Sequence, residues 1–414
     1  MKLTLKNILN FKVILAALGL AAAVSCSELT PFPDTDHSTA RREGVEGLGY
    51  SKVLIVCCEG YNNLSSDIKN NISQIAGGYL PAKNDREALI VYEHNARGDI
   101  DWTTPTAPVI YHMYDHYGQV VRDTIKTWPT DAITVSADMI RDILTTVKKE
   151  FPSPSYGLLY SSHSTGWLPT GYSYGGGDAS PVKKISPSWI GAQFDGSSSN
   201  SYSVDVKDFA QALPMHLNYI IFDCCLMGGV ETTYDLRDKV DYIIASPTEV
   251  MSYGYNYHTL ASRLLASETP DLQGVCEDFY DKLASSSYLT VGLYDCSQMD
   301  TLARACRKIF DAHPDAVLSV NSRTVQSYNY SYSYHYDFRD IIAKMGASDE
   351  ELAEIDAILS RLVLYKAATP TFITTTINPD TFSGISMYLP SSYWPTLNSL
   401  YRETSWNQDT HLLQ

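Results

Sequence analysis

A thiol and an imidazole are the side chains in this sequence best spaced to do chemistry together. Seven cysteines follow Cys26: Cys57, Cys58, Cys224, Cys225, Cys276, Cys296 and Cys306. An odd number leaves at least one thiol free unless it pairs between molecules. Spread along the whole chain, they are also too sparse for the disulfide scaffold of a small secreted domain. The two Cys-Cys doublets lack the Cys-x₂₋₄-Cys spacing of a zinc site, and no His lies at a matching offset. A cysteine attacks as thiolate, so a catalytic one needs a basic neighbour and access to solvent. Cys225 follows the apolar run 218–222, where a strand is expected to open into a helix (about 226–237) whose N-terminal N–H groups favour negative charge. His163 follows a second apolar run, 156–160, and can supply the base. Their separation of 62 positions allows a loop, a helix and a return strand between two parallel strands. His precedes Cys, the reverse of the papain-like order. The backbone N–H groups of Ser164 and Cys225 are the expected oxyanion donors. Asp223 stands two residues before Cys225. In extended chain both side chains project to one side with Cα atoms about 6.5 Å apart, so its carboxylate can floor a pocket beside the thiol. Its other reading is a cap on the following helix.

These residues need a frame, and the pattern of apolar runs supplies one. Lys52-Val-Leu-Ile-Val-Cys-Cys58, Glu87–Tyr92, Tyr156–Tyr160, Asn218–Phe222, Tyr242–Ala245 and 289–295 read as buried strands. Helical spacing is found over 65–76, over 136–149 with a Ser136 N-cap and lysines in the last turn, over 205–213, and over 257–267, 272–284 and 297–312. Residues 109–124 read as a hairpin turning at Asp115-His-Tyr-Gly118. His112 and His116 in that hairpin have the spacing of zinc ligands, but the Glu that a zinc protease motif needs is missing and the context is not helical. Strands alternating with helices predict an α/β fold, a mostly parallel sheet sandwiched by helices. Ligand chemistry in such sheets sits at the carboxyl ends of the strands, where His163 and Cys225 both fall. Residues 168–203, rich in Gly, Ser and Pro, form a long loop of the kind that is usually functional. Beyond about residue 315 the pattern changes to a smaller C-terminal α+β subdomain. Within it Ser327–Tyr336 carries five tyrosines on alternate positions. As a strand they would share one face, packed on the main domain or free to stack on sugars. A helix (349–365) and a closing strand pair around 372–376 and 385–389 end the chain.

Tyr160-Ser-Ser-His163-Ser-Thr-Gly-Trp167 and Phe222-Asp-Cys-Cys225-Leu-Met-Gly228 resemble the two active-site motifs of the clostripain family of cysteine peptidases, whose fold is caspase-like. Glu59-Gly-Tyr-Asn-Asn-Leu64 and Ser383-Gly-Ile-Ser-Met-Tyr-Leu-Pro390 resemble the opening and closing segments of that family, so the likeness spans roughly 50–390. It implies that His163 is the base and that Cys225, not Cys224, is the nucleophile. It also implies that Asp223 lies in a pocket preferring Arg or Lys. Relatives usually add a second acid after the next strand, where only Glu249 is available here. They also show a run of glycines after the histidine, where this chain has Ser-Thr-Gly, and Thr tolerates positive φ poorly. Family members can be activated by cutting between His and Cys, and Lys183 and Lys184 lie in that segment. The resemblance admits calcium, but no acidic loop of recognisable ligand spacing supports it, and no cofactor is expected.

The N-terminus has the marks of export. Lys2, Lys6 and Lys12 precede an uncharged apolar run, 13–24, too short to span a bilayer and suited to a signal peptide (1–25). It ends Ala-Val-Ser-Cys26, which looks like a bacterial lipoprotein signal with Cys26 as the lipid attachment point. A polar tether (26–48), a catalytic domain (49–314) and the C-terminal subdomain (315–414) would follow. The expected location is the cell envelope, outer membrane or cell surface, with the membrane engaged through lipid. Of 414 residues 31 are basic and 47 acidic, a net charge of −16, and 44% are hydrophobic. That balance argues against a nucleic-acid partner and against disorder. A cysteine endopeptidase acting on protein or peptide is the leading expectation. Its alternative is a catalytically inactive surface lipoprotein that binds peptide or glycan.

Overall fold

Burial on both faces explains the apolar strands. In a computed structural model that describes residues 49–98, 104–168, 189–194, 201–329 and 334–414, every residue of β1 (Lys52–Gly60) is buried. The chain continues through α1 (Ser65–Ala76), β2 (Glu87–Asn95), β3 (Val109–His116), β4 (Gln119–Thr127), α2 (Ala137–Glu150) and β5 (Tyr156–Ser161). Next come β6 (Trp189–Phe194), β7 (Ser201–Asp205), α3 (Val206–Ala212), β8 (Leu217–Asp223), α4 (Val230–Leu236) and β9 (Val240–Ala245). Two helices, α5 (Tyr257–Leu265) and α6 (Leu272–Leu283), lead to β10 (Tyr288–Asp295) and α7 (Met299–Ala312). The remainder is β11 (Tyr336–Asp337), α8 (Phe338–Lys344), α9 (Asp349–Leu362), β12 (Val363–Phe372), β13 (Thr375–Thr376), β14 (Ser386–Met387), α10 (Pro395–Tyr401) and α11 (Ser405–Thr410).

Ten strands form one sheet in the order β13-β12-β10-β9-β8-β5-β1-β2-β3-β4. Its centre, β9-β8-β5-β1-β2, is parallel, and the flanking strands run antiparallel. The reversal at β10 follows from having two helices rather than one between β9 and β10, which bring the chain back to the same end of the sheet. Alternate residues of each strand feed two cores. Val53, Ile55, Leu158 and Ile220 pack with α2, α3, α4 and α7 on one face. Leu54, Val56, Leu159 and Ile221 pack with α1, α5 and α6 on the other. The caps follow the sequence: the Ser136 hydroxyl accepts from the Met139 N–H, and Lys148 and Lys149 close the last turn of α2.

Three expectations change in detail. Helix α4 begins at Val230 rather than near 226, because Leu226 has φ +63° and the N–H groups of Leu226 and Gly228 bond sideways to the Thr248 and Ser246 carbonyls. A chain whose donors are spent on a neighbouring strand extension cannot start a helix there. The residues after 315 share the main sheet, since β12 pairs antiparallel with β10 and Phe338, Ile355, Leu362 and Trp406 join the same core as the strands. Leu48–Gln414 accordingly forms one compact unit. Of the tyrosine run, the described Tyr328, Tyr334 and Tyr336 are buried and Tyr336 alone of these three lies in a strand, so these three present no open stacking face. Tyr330 and Tyr332 lie outside the described residues, as do Cys26, Lys183 and Lys184.

Candidate active site

Register brings the thiol and the imidazole together. Parallel strands β5 and β8 are neighbours, and their last residues, Ser161 and Asp223, are register partners. His163 and Cys225 each stand two residues beyond that pair, on chains about 4.8 Å apart. Both line one cavity of about 500 Å³, together with Ser164, Asp223, Glu249 and Val250. The loops are stitched to one another. The Ser164 hydroxyl donates to the Cys225 carbonyl, and the Ser162 hydroxyl donates to the Glu59 carbonyl at 2.9 Å.

All seven cysteines from Cys57 onward are unpaired, and six are buried; Cys225 alone among them is partly open to solvent. Its sulfur lies against the strand extension after β9, donating to the Val250 carbonyl at 3.6 Å and accepting the Val250 N–H at 3.4 Å. Burial, with the nearby Glu249 carboxylate, pushes the thiol up to about 12. The expected helix N-terminus does not relieve this, because α4 starts five residues further on. Burial also pulls the His163 imidazole below its ordinary value. Both shifts favour the uncharged forms, a thiol on Cys225 and a neutral imidazole on His163.

Asp223 is 7% exposed, yet it reaches the same cavity. It caps no helix. Its Oδ2 accepts from the Ser161 hydroxyl at 3.1 Å and from the Tyr257 hydroxyl. Burial raises its pKa to about 6 against those two hydrogen bonds and the field of Lys282. Gly254, at φ +54°, passes directly over the carboxylate, where any Cβ would collide with it. The segment carrying Gly254 is held by Lys282, whose Nζ donates to the carbonyls of Tyr253, Gly254 and Tyr255 at 2.8, 3.0 and 2.7 Å. Glu249 lines the same cavity and is raised by burial.

In the loop after His163 the left-handed conformation falls on Gly166 (φ +63°) and not on Thr165. The β-branched residue is thus spared the strain that its position suggested. Ser164 and Thr165 are both 6% exposed, with the Thr165 hydroxyl donating to the Leu168 carbonyl at 3.1 Å. Four residues around the site carried no role in the sequence reading: Asn63, Val250, Tyr257 and Lys282. Asn63 had a faint signal in the Asn-Asn pair after β1. The others are brought in by loops and helices distant along the chain, with no local signature. Among the described residues no group of three or more His, Cys, Asp or Glu is arranged to hold a metal ion, and no helix is long and apolar enough to cross a membrane.

A model of the clostripain family matches residues 56–411. Among solved structures, an inactive zymogen C11 protease from Parabacteroides distasonis is 26% identical with a TM-score of 0.72, covering 88% of this chain and 99% of that one. A secreted C11 cysteine protease from Bacteroides thetaiotaomicron, iotapain, is 25% identical with a TM-score of 0.70, covering 88% and 100%. A secreted C11 cysteine protease from the same organism, in complex with an irreversible peptide inhibitor, is 22% identical with a TM-score of 0.71, covering 87% and 99%, and shows the likeness of fold. No curated protein matches the chain.

Proposed function

The chain belongs to the clostripain family of cysteine-type peptidases, and we propose that it is an exported endopeptidase cutting after Arg or Lys with Cys225 as nucleophile and His163 as base. The observation that carries this reading is the paired placement of the two side chains, two residues past register-matched ends of adjacent parallel strands, on one cavity. As the sulfur attacks the scissile carbonyl carbon, the S–H bond breaks, its proton passes to the imidazole and the S–C bond forms. The carbonyl electron pair moves to oxygen, facing the N–H groups of Ser164 and Cys225. When the C–N bond breaks, the imidazolium returns that proton to the leaving amine. Water then repeats the sequence on the thioester and frees the thiol.

Asp223 gives the cavity a buried negative floor once ionised, and Glu249 lines the same cavity. A guanidinium or ammonium entering there meets a carboxylate already held by Tyr257 and Ser161. Lys183 or Lys184 would be a processing site in the loop between the two motifs, and Cys26 the lipid anchor that keeps the enzyme on the envelope. The secreted relatives from Bacteroides thetaiotaomicron accord with export. The test is hydrolysis of fluorogenic peptides ending in Arg, Lys, Leu or Asp. Cleavage is expected for Arg and Lys and lost in Cys225→Ala and His163→Ala; turnover surviving Cys225→Ala would overturn the assignment.

A further inference from the structure

Among the described residues the His163 ring has one hydrogen-bond partner, and it comes from another loop. Nε2 lies 2.6 Å from the Asn63 Oδ1. An amide oxygen only accepts, so Nε2 carries the proton and Nδ1 is left with its lone pair. We infer that Asn63 is a positioning residue that fixes this tautomer and holds the imidazole edge-on, so that Nδ1 serves as the base toward Cys225. The inference rests on the His163–Cys225 pair proposed above.

The loop that presents Asn63 is built to be rigid. Asn62, fully buried, donates from its side-chain amide to the Glu59 carbonyl at 2.9 Å. Its Oδ1 accepts from the Leu64 N–H at 2.8 Å. This turn at the end of β1 is joined to the His163 loop through Ser162 and the Glu59 carbonyl. Asn63 itself is exposed. The acids on the cavity, Asp223 and Glu249, raise the Cys225 thiol, whereas the His163 imidazole is lowered by burial. A neutral amide suits a base that must be uncharged before it takes the thiol proton. A carboxylate in its place would stabilise the imidazolium and delay that step to higher pH.

The experiment uses the full chain with Asn63→Ala, Asn63→Asp and, as control, Cys225→Ala. Asn63→Ala is expected to lower kcat roughly tenfold to a hundredfold with KM nearly unchanged, within the range that proton-transfer catalysis supplies. Asn63→Asp is expected to recover part of kcat while moving the acid limb of kcat/KM to higher pH. Independently of turnover, ¹⁵N spectra of the imidazole, assigned with His163→Gln, should show a protonated Nε2 in the native protein and a mixture of tautomers in Asn63→Ala. Unchanged kcat, pH profile and tautomer in Asn63→Ala, with Cys225→Ala inactive, would overturn the inference and leave the Cys225 assignment standing. A rise in kcat would also overturn it, by showing that Asn63 restrains the ring instead of serving it. Activity surviving Cys225→Ala would sink the underlying pair instead.

Discussion

Replacing Asp223 by Asn should make the protein more stable and the enzyme worse. The carboxyl rises from 3.8 to about 6 on burial, which is about 3 kcal/mol at 1.36 kcal/mol per unit. A group whose pKa is raised by folding binds its proton more tightly in the native chain than in the unfolded one. Stability therefore falls as pH climbs between about 4 and about 6, and the full penalty is present above that window. Asn keeps an oxygen to accept from Tyr257 and Ser161 but has no charge to bury. For the unit Leu48–Gln414, an unfolding entropy of about 2.1 cal/mol/K per residue gives roughly 0.8 kcal/mol/K. The whole penalty is then worth about 4 °C in Tm. Calorimetry should show Asp223→Asn melting up to about 4 °C higher at pH 8, about half of that at pH 5 and almost nothing at pH 3.5. In parallel, kcat/KM for Arg- and Lys-terminated peptides should fall at least about thirtyfold, the loss expected when one partner of a buried charge pair is removed. In the native enzyme the same parameter should rise through pH of about 6 as the carboxyl ionises. A Tm gain that is the same at every pH, or a loss at pH 8, would refute the view that this carboxylate is held at the expense of stability.

Three further outcomes follow from the same geometry. Iodoacetamide at pH 7.5 should label one thiol in the folded protein, Cys225, since the other six from Cys57 onward are buried; in His163→Ala its rate should keep rising above pH 9, because the thiol stands at about 12, and peptide mapping reads both. Gly166→Ala puts a side chain at φ +63° and against the Leu226 carbonyl. It should cost more than about 1 kcal/mol in chemical denaturation and reduce kcat by displacing the His163 loop. Lys282→Met frees three carbonyls of the segment over Asp223 and removes a cation that lowers the Asp223 pKa. KM for basic substrates should rise about threefold to tenfold, and the acid limb of their kcat/KM should move to higher pH.

The strands were the most legible part of this chain. Runs such as Lys52–Cys58 and Tyr156–Tyr160 are apolar on both alternations, which only burial on both faces explains. The caps of α2 could likewise be named from Ser136 and the closing lysines, because their partners lie within a turn. Less legible was anything set by what a segment meets. Helix α4 looked five residues longer because nothing near Leu226 announces that its donors are taken by Thr248 and Ser246. The tyrosine alternation suggested one strand, yet Tyr328 turns its hydroxyl to Asp337 in the core.

The same division runs through the site. Residue types and short-range offsets singled out His163, Cys225 and Asp223, because an imidazole, a thiol and a carboxyl at strand ends are features of local sequence. Only tertiary structure decided how they are tuned: the thiol raised by burial and by Glu249, the carboxyl overhung by Gly254 at the edge of the cavity, the imidazole tied to an amide a hundred residues earlier in the chain. Electrostatic environment is summed over everything within a few ångströms in space, and the contributors here come from four separated segments that the sheet brings side by side.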